Sequence, residues 1–174
     1  MERLGLLDIK SLYSITTPER QVKRLVYEHE RLNSLRFPAC SEAVGHPVET
    51  SCTIIDLQNF SITNFYRIKD YVMQAAYICQ YCYPEDMGKF YVINAPRGIA
   101  AIRHLIEPLL TEATVAGIDV LGDSYKDTLL KQIDEENLPS FFGGKCDCPG
   151  GCSLSDAGPW NPRDELKGKI AKSS

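Results

Sequence analysis

No apolar run in this sequence approaches the ~18 residues that a helix needs to cross a bilayer, so a membrane-spanning protein is not expected. Basic excess is lacking too. Nineteen lysines and arginines stand against 23 acids, for a net charge of −4. That balance argues against a nucleic-acid partner, which needs clustered cations to neutralise phosphates. The opening Met1-Glu2-Arg3-Leu4-Gly5 lacks the apolar run and small-residue cleavage site of a secretory signal, and a cytosolic chain is expected. Seven cysteines, an odd number without a signal, do not make a disulfide framework, and reduced thiols are expected. Catalytic motifs are missing as well. There is no G-x-S-x-G, no P-loop and no G-x-G-x-x-G. Gly143-Gly144-Lys145 lacks the upstream glycine of a phosphate loop, and His46 and His104 have no recognisable nucleophile motif beside them. Binding is favoured over catalysis, with a small hydrolase as the distant enzyme-class rival.

What is present is one domain's worth of chain, 174 residues with an ordinary 44% hydrophobic content, enough for a real core. Thr17-Pro18-Glu19 predicts a helix start: a capping threonine, proline in the first turn, then an acid suited to the dipole. Val22, Leu25, Val26, His29 and Leu32 follow at helical spacing, and Phe37-Pro38 is expected to close the helix. Thr50 to Leu57 reads as a β-branched strand. A long amphipathic helix is predicted over roughly 63–83, ended by Tyr83-Pro84. Lys89 to Pro96 reads as a strand apolar on both faces, the habit of a parallel sheet covered on both sides. A helix from Arg97 to Leu110, a strand over 118–121 and a helix from Asp123 to Ile133 complete the order. Strand, helix, strand, helix, strand predicts an α/β fold with right-handed crossovers. From Gly143 on, glycine and proline punctuate a loop-rich stretch, and Lys167 to Ser174 reads as a frayed tail.

Several side chains could carry chemistry, and each has a plainer reading. Cys79-Gln80-Tyr81-Cys82 is formally C-x-x-C, but it sits at a helix C-terminus, where the dipole opposes a thiolate; core packing is expected. Cys146, Cys148 and Cys152 supply three thiols, whereas structural zinc wants four ligands in paired spacing, and no histidine follows them. A glycine-rich turn with free thiols, and no metal, is expected. His29 lies on an apolar helix face and is expected to have its ring nitrogens satisfied. Glu85-Asp86, between a helix end and a strand start, is expected to be solvated or capping. Ser51 and Thr53 share a strand face with Ile55 and Leu57. Hydroxyls at one end and aliphatics at the other suit an amphiphile, although a polar strand end explains them equally.

Beyond these local readings, longer stretches resemble a known family. They include Phe37-Pro38-Ala39-Cys40-Ser41, Val48-Glu49-Thr50-Ser51-Cys52-Thr53-Ile54, Met87-Gly88-Lys89-Phe90-Tyr91, Ile93-Asn94-Ala95-Pro96, Leu129-Leu130-Lys131-Gln132-Ile133, Glu136-Asn137-Leu138-Pro139 and Gly158-Pro159-Trp160. In this order and spacing, and over nearly the whole chain, they resemble the fungal secretory-pathway phosphatidylinositol/phosphatidylcholine transfer proteins, lipid binders of the CRAL-TRIO family. The resemblance implies a mixed, mostly parallel sheet flanked by helices, an apolar lipid pocket and a helical gate. It implies a lipid-binding domain over 1–145, with 146–174 a Gly/Cys-rich loop and tail packing on it. The family's N-terminal helical domain and first strand are expected to be missing here.

By the same resemblance, Ser51 and Thr53 match positions that bind the phosphocholine phosphate, and Glu85 matches an acid that contacts inositol. His29 stands where the family has a tyrosine that helps bind phosphocholine. Gly117 stands where the family has an inositol-binding lysine, and its lack of charge is expected to weaken inositol-lipid binding. Ile55, Leu57, Ile93, Ile99, Ile102, Ile106 and Leu109 are expected to meet the lipid tails or form the gate. The implied protein exchanges phosphatidylcholine and phosphatidylinositol as a monomer that meets membranes transiently, at the Golgi. It needs no cofactor beyond bound phospholipid. A binder of another lipophile such as a sterol, or a transfer-incompetent interaction module, are the alternatives.

Overall fold

A computed structural model describes residues 1–161, the side chain of Ala101 excepted. The tail read from Lys167 to Ser174 lies outside the described residues. The elements run β1 (Glu2–Arg3), α1 (Ile9–Ile15), α2 (Pro18–Arg31), α3 (Phe37–Val44), β2 (Ser51–Asp56), α4 (Ile62–Cys82), β3 (Met87–Ile93), α5 (Ile99–Ile106), α6 (Glu112–Ala116), β4 (Ile118–Val120) and α7 (Lys126–Leu129). They fall into two compact units. One is Met1–Arg31 with Glu49–Asp123; the other is Leu32–Val48 with the described residues from Ser124 onward.

The first unit holds a four-stranded sheet in the order β1-β2-β3-β4, every pair parallel. Parallel neighbours in sequence order need crossovers, and right-handed crossovers in one direction stack their helices on one sheet face. The apolar core is found there. Ile9 of α1, Phe65 and Ile68 of α4, and Ile102 of α5 pack with Leu57 and Phe60, and Ile55 and Val92 join them from the sheet. On the opposite face, alternation turns Ile54, Asp56, Tyr91 and Ile93, all buried.

Most expected elements are in place, with shifted ends. β3 begins at Met87 and stops at Ile93, rather than running on to Pro96. Asn94 takes a left-handed conformation (φ 52°), which turns its side chain onto Asp56 and ends the strand. α5 gives way after Ile106 to a 3-10 turn, Glu107–Leu109, because Pro108 has no N–H to continue an α-helix. Phe37-Pro38 does not close a helix; it opens one. The chain passes from α2 through a π-helical turn, Leu32–Arg36, into α3, where Pro38 occupies the first turn and its missing N–H is harmless. The helix expected from Asp123 to Ile133 contracts to Lys126–Leu129. Besides α3, the elements α1, α6 and β1 were not anticipated. α1 is nucleated by Asp8, whose carboxylate accepts from the N–H groups of Lys10 (3.0 Å) and Ser11 (3.3 Å). β1 is only two residues long, paired through Glu2 with Ile55 and Arg3 with Asp56.

In the second unit Leu129, Leu138 and Phe142 are wholly buried. Trp160 donates to Asp156 (3.1 Å), which also pairs with Arg36 (3.3 Å). The Arg36 guanidinium lies over the indole, 5.6 Å from its centre.

Candidate lipid site

The amino ends of β2 and β3 carry a polar knot. Ser51 Oγ donates to the Asp86 carbonyl (2.9 Å), and the Ser51 N–H donates to the same oxygen (2.8 Å). The Asp86 side chain lies 3.0 Å from His29 Nδ1, and Asp86 is only 6% exposed. His29 Nε2 faces the Cys79 sulfur at 3.5 Å, and the imidazole stacks on Tyr83 with ring centres 4.5 Å apart. A thiol donating to Nε2 leaves the ring proton on Nδ1, directed at the carboxylate. Tyr83 donates to Glu30 (2.6 Å), and that bond pushes its phenol up to about 12. His29 thus has partners on both ring nitrogens.

Of the four residues expected at a headgroup, Ser51 and His29 are joined through Asp86. Thr53 follows Ser51 on the same face, half-buried. Glu85 is exposed in the turn between α4 and β3. The adjacent acids therefore divide. Glu85 is solvated as expected, whereas Asp86 is buried and holds the knot. Asp86, Tyr83 and Cys79 were missed as a group because they converge from a helix end and a strand start. A histidine on an apolar face, which must find a polar partner, was the available signal.

Along the same face of β2 the chemistry becomes apolar. Ile55, Leu57, Ile99, Ile102 and Ile106 belong to one cluster, in which α5 lies against α4. Leu109 is half-buried in the 3-10 turn that follows α5. Ile93, wholly buried, points from the opposite face of the sheet and does not join them. Gly117 caps α6, and a side chain there would meet Met87. A shallow groove of about 430 Å³ opens on the surface between α1 and α4, lined by Ile9, Lys10, Tyr13, Ser14 and Arg67.

The thiols form two sets. Burial pushes Cys79 up to about 11, with the Asp86 charge adding to it. Burial thus opposes its thiolate, beyond the helix-end position read from sequence. Cys146, Cys148 and Cys152 gather their sulfurs within 4.8 Å of one another. Burial and the neighbouring thiols push Cys146 up to about 12, and a hydrogen bond from Ser155 lowers Cys148.

With this geometry established, known proteins supply the comparison. The CRAL/TRIO domain family matches residues 2–144. This chain belongs to the CRAL/TRIO family. Among its CRAL/TRIO relatives, the Sec14 cytosolic factor of Schizosaccharomyces pombe is 55% identical over 92% of this chain and 56% of its own length. The SEC14 cytosolic factor of Candida glabrata is 51% identical over 91% of this chain and 54% of its own. A phosphatidylinositol/phosphatidylcholine transfer protein of Arabidopsis thaliana, SFH4, is 38% identical over 96% of this chain and 28% of its own. The chain thus spans about half the length of its fungal relatives. The crystal structure of Sfh5 is similar to it with a TM-score of 0.46 and 20% identity, over 72% of this chain and 44% of that one.

Proposed function

We propose that this CRAL/TRIO chain binds a phospholipid and exchanges phosphatidylcholine and phosphatidylinositol between membranes without covalent chemistry. The observation that carries the reading is the polarity gradient along one sheet face, from Ser51 and Thr53 to Ile55, Leu57 and the α5 isoleucines. An amphiphile needs that pairing: hydroxyls near its phosphate to avoid unsatisfied polar burial, and apolar surface for its tails, at about 0.8 kcal/mol per buried methylene. The name of the Arabidopsis relative, a phosphatidylinositol/phosphatidylcholine transfer protein, agrees with it. α5 is the gate. In the packed state it shares one apolar cluster with Leu57 and Ile68; swung away, it yields the apolar face to acyl chains, and a membrane that favours the open state promotes exchange.

Glu85, exposed beside the knot, accepts hydrogen bonds from inositol hydroxyls. Gly117 offers no cation, so choline lipid is expected to bind more tightly than inositol lipid. The chain acts as a monomer at the cytosolic face of Golgi membranes, a placement that rests on the family resemblance and is testable by imaging a tagged chain. Native mass spectrometry of the purified chain should show one co-purifying phosphatidylcholine or phosphatidylinositol. In a vesicle transfer assay, Glu85→Ala should reduce inositol-lipid transfer more than choline-lipid transfer; equal loss of both would reject the role given to Glu85. His29 and Gly117 favour a second reading, another lipophile such as a sterol, and lipid extraction that returns a sterol would establish it.

A further inference from the structure

Cys146, Cys148 and Cys152 lie in a loop that the lipid-transfer reading does not use. We propose that their three sulfurs form a binding site for one Zn²⁺ ion, with the fourth position open to water. Cys146 Sγ lies 3.7 Å from Cys148 Sγ and 3.7 Å from Cys152 Sγ. Zinc–sulfur bonds of about 2.3 Å at tetrahedral angles put neighbouring sulfurs about 3.8 Å apart. Two edges of the thiol triangle therefore already have the length that the ion requires. Thiolates select zinc over magnesium or calcium.

The backbone builds this triangle. Gly150 and Gly151 take φ of 80° and 91°, a conformation that glycine adopts without strain. The Gly151 N–H closes the turn on the Cys148 carbonyl (2.8 Å), which brings Cys152 back beside Cys146. The Cys146 N–H donates to Leu138 O (2.9 Å) and its carbonyl accepts from Ser140 (3.0 Å), so one corner is pinned to the preceding turn. The Cys148 N–H points at Cys152 Sγ (3.4 Å), which ties the third corner to the second. Cys152 is buried, while Cys146 and Cys148 are half-exposed, so ion and water can reach the site. Loading releases the thiol protons to solvent, including the one Cys152 directs at the Cys146 carbonyl (3.3 Å).

The test uses the full chain, reduced and stripped of metal, and titrates Co²⁺ alone as a spectroscopic probe. One equivalent should raise sulfur-to-cobalt charge-transfer absorption with tetrahedral d–d bands, and Zn²⁺ should displace it. Cys148→Ser should weaken binding on the order of 100-fold or more, with its metal-free circular dichroism unchanged. Cys82→Ser, which alters an exposed cysteine elsewhere, should titrate like the parent. A readout needing no variant is alkylation followed by mass spectrometry, in which Zn²⁺ should protect these three thiols together. Absent charge-transfer bands, bands that survive in Cys148→Ser, no protection by Zn²⁺, or a site that takes Cu⁺ but not Zn²⁺ would each overturn the assignment.

Discussion

Two neighbouring acids, Glu85 and Asp86, differ in worth because one is solvated and the other is 6% exposed against His29 and β2. Removing the Asp86 carboxylate takes away the group that lies 3.0 Å from His29 Nδ1 in a half-buried site. Asp86→Ala should lower stability by about 2 kcal/mol, while Glu85→Ala should stay within about 0.5 kcal/mol; paired urea titrations decide it. The Cys79 thiol makes a second prediction at this scale. Its folded value of about 11 stands above the ordinary 9.0. Below pH 9 both states hold the proton and the contribution is fully present. Between pH 9 and about 11 the unfolded chain releases the proton first, so the folded state binds more protons and stability falls as pH rises. Cys79→Ala should flatten that part of the melting temperature's pH dependence, and an unchanged slope would exclude Cys79 as its source. His29 was legible in sequence as a satisfied histidine, because an apolar face will not hold an unpaired ring. Its partners were not, since Cys79 and Asp86 lie 50 and 57 residues away in the chain.

Among the elements, those with strong periodicity were readable and those set by a single turn were not. α4 and β2 were anticipated to within a residue or two, because a long amphipathic stripe and a β-branched run leave few alternatives. α1 was overlooked. Seven residues make a weak period, and its start depends on one carboxylate. Asp8→Ala should destabilise by about 1 kcal/mol, read as a loss of helical signal and a lower melting temperature. The carboxyl end of α5 was not legible, because its isoleucine spacing continues smoothly toward Pro108, whose missing N–H ends the helix. Ile102 is 7% exposed at the centre of the packed cluster. Ile102→Ala should cost about 2–4 kcal/mol by chemical denaturation, and a value near zero would show that α5 does not hold the packed state.

For the molecule entire, the family was legible because its motifs run in order from Phe37 to Trp160. The two units were less so. The second draws on residues 32–48 and on the described residues from 124 onward, and local sequence patterns do not link segments so far apart. Lipid binding to the folded state alone should raise the melting temperature with lipid concentration. Phosphatidylcholine vesicles should do so with the parent chain, and an unmoved transition would count against a lipid-binding fold. Asp56, 3% exposed, has a broader consequence. It receives Arg3 Nε (3.4 Å), the Gln58 N–H (2.9 Å) and Asn94 Nδ2 (2.8 Å), and so clasps β1, β2 and β3 at their carboxyl ends. At the amino ends the pairing already skips Gly88 between Ser51 and Cys52. The sheet therefore has a datum at one end and slack at the other. A residue inserted near Ser51 can be absorbed as a longer bulge, whereas one inserted near Asp56 would shift every side chain against its clasp. Tolerance to changes of length should thus rise from Asp56 toward Ser51.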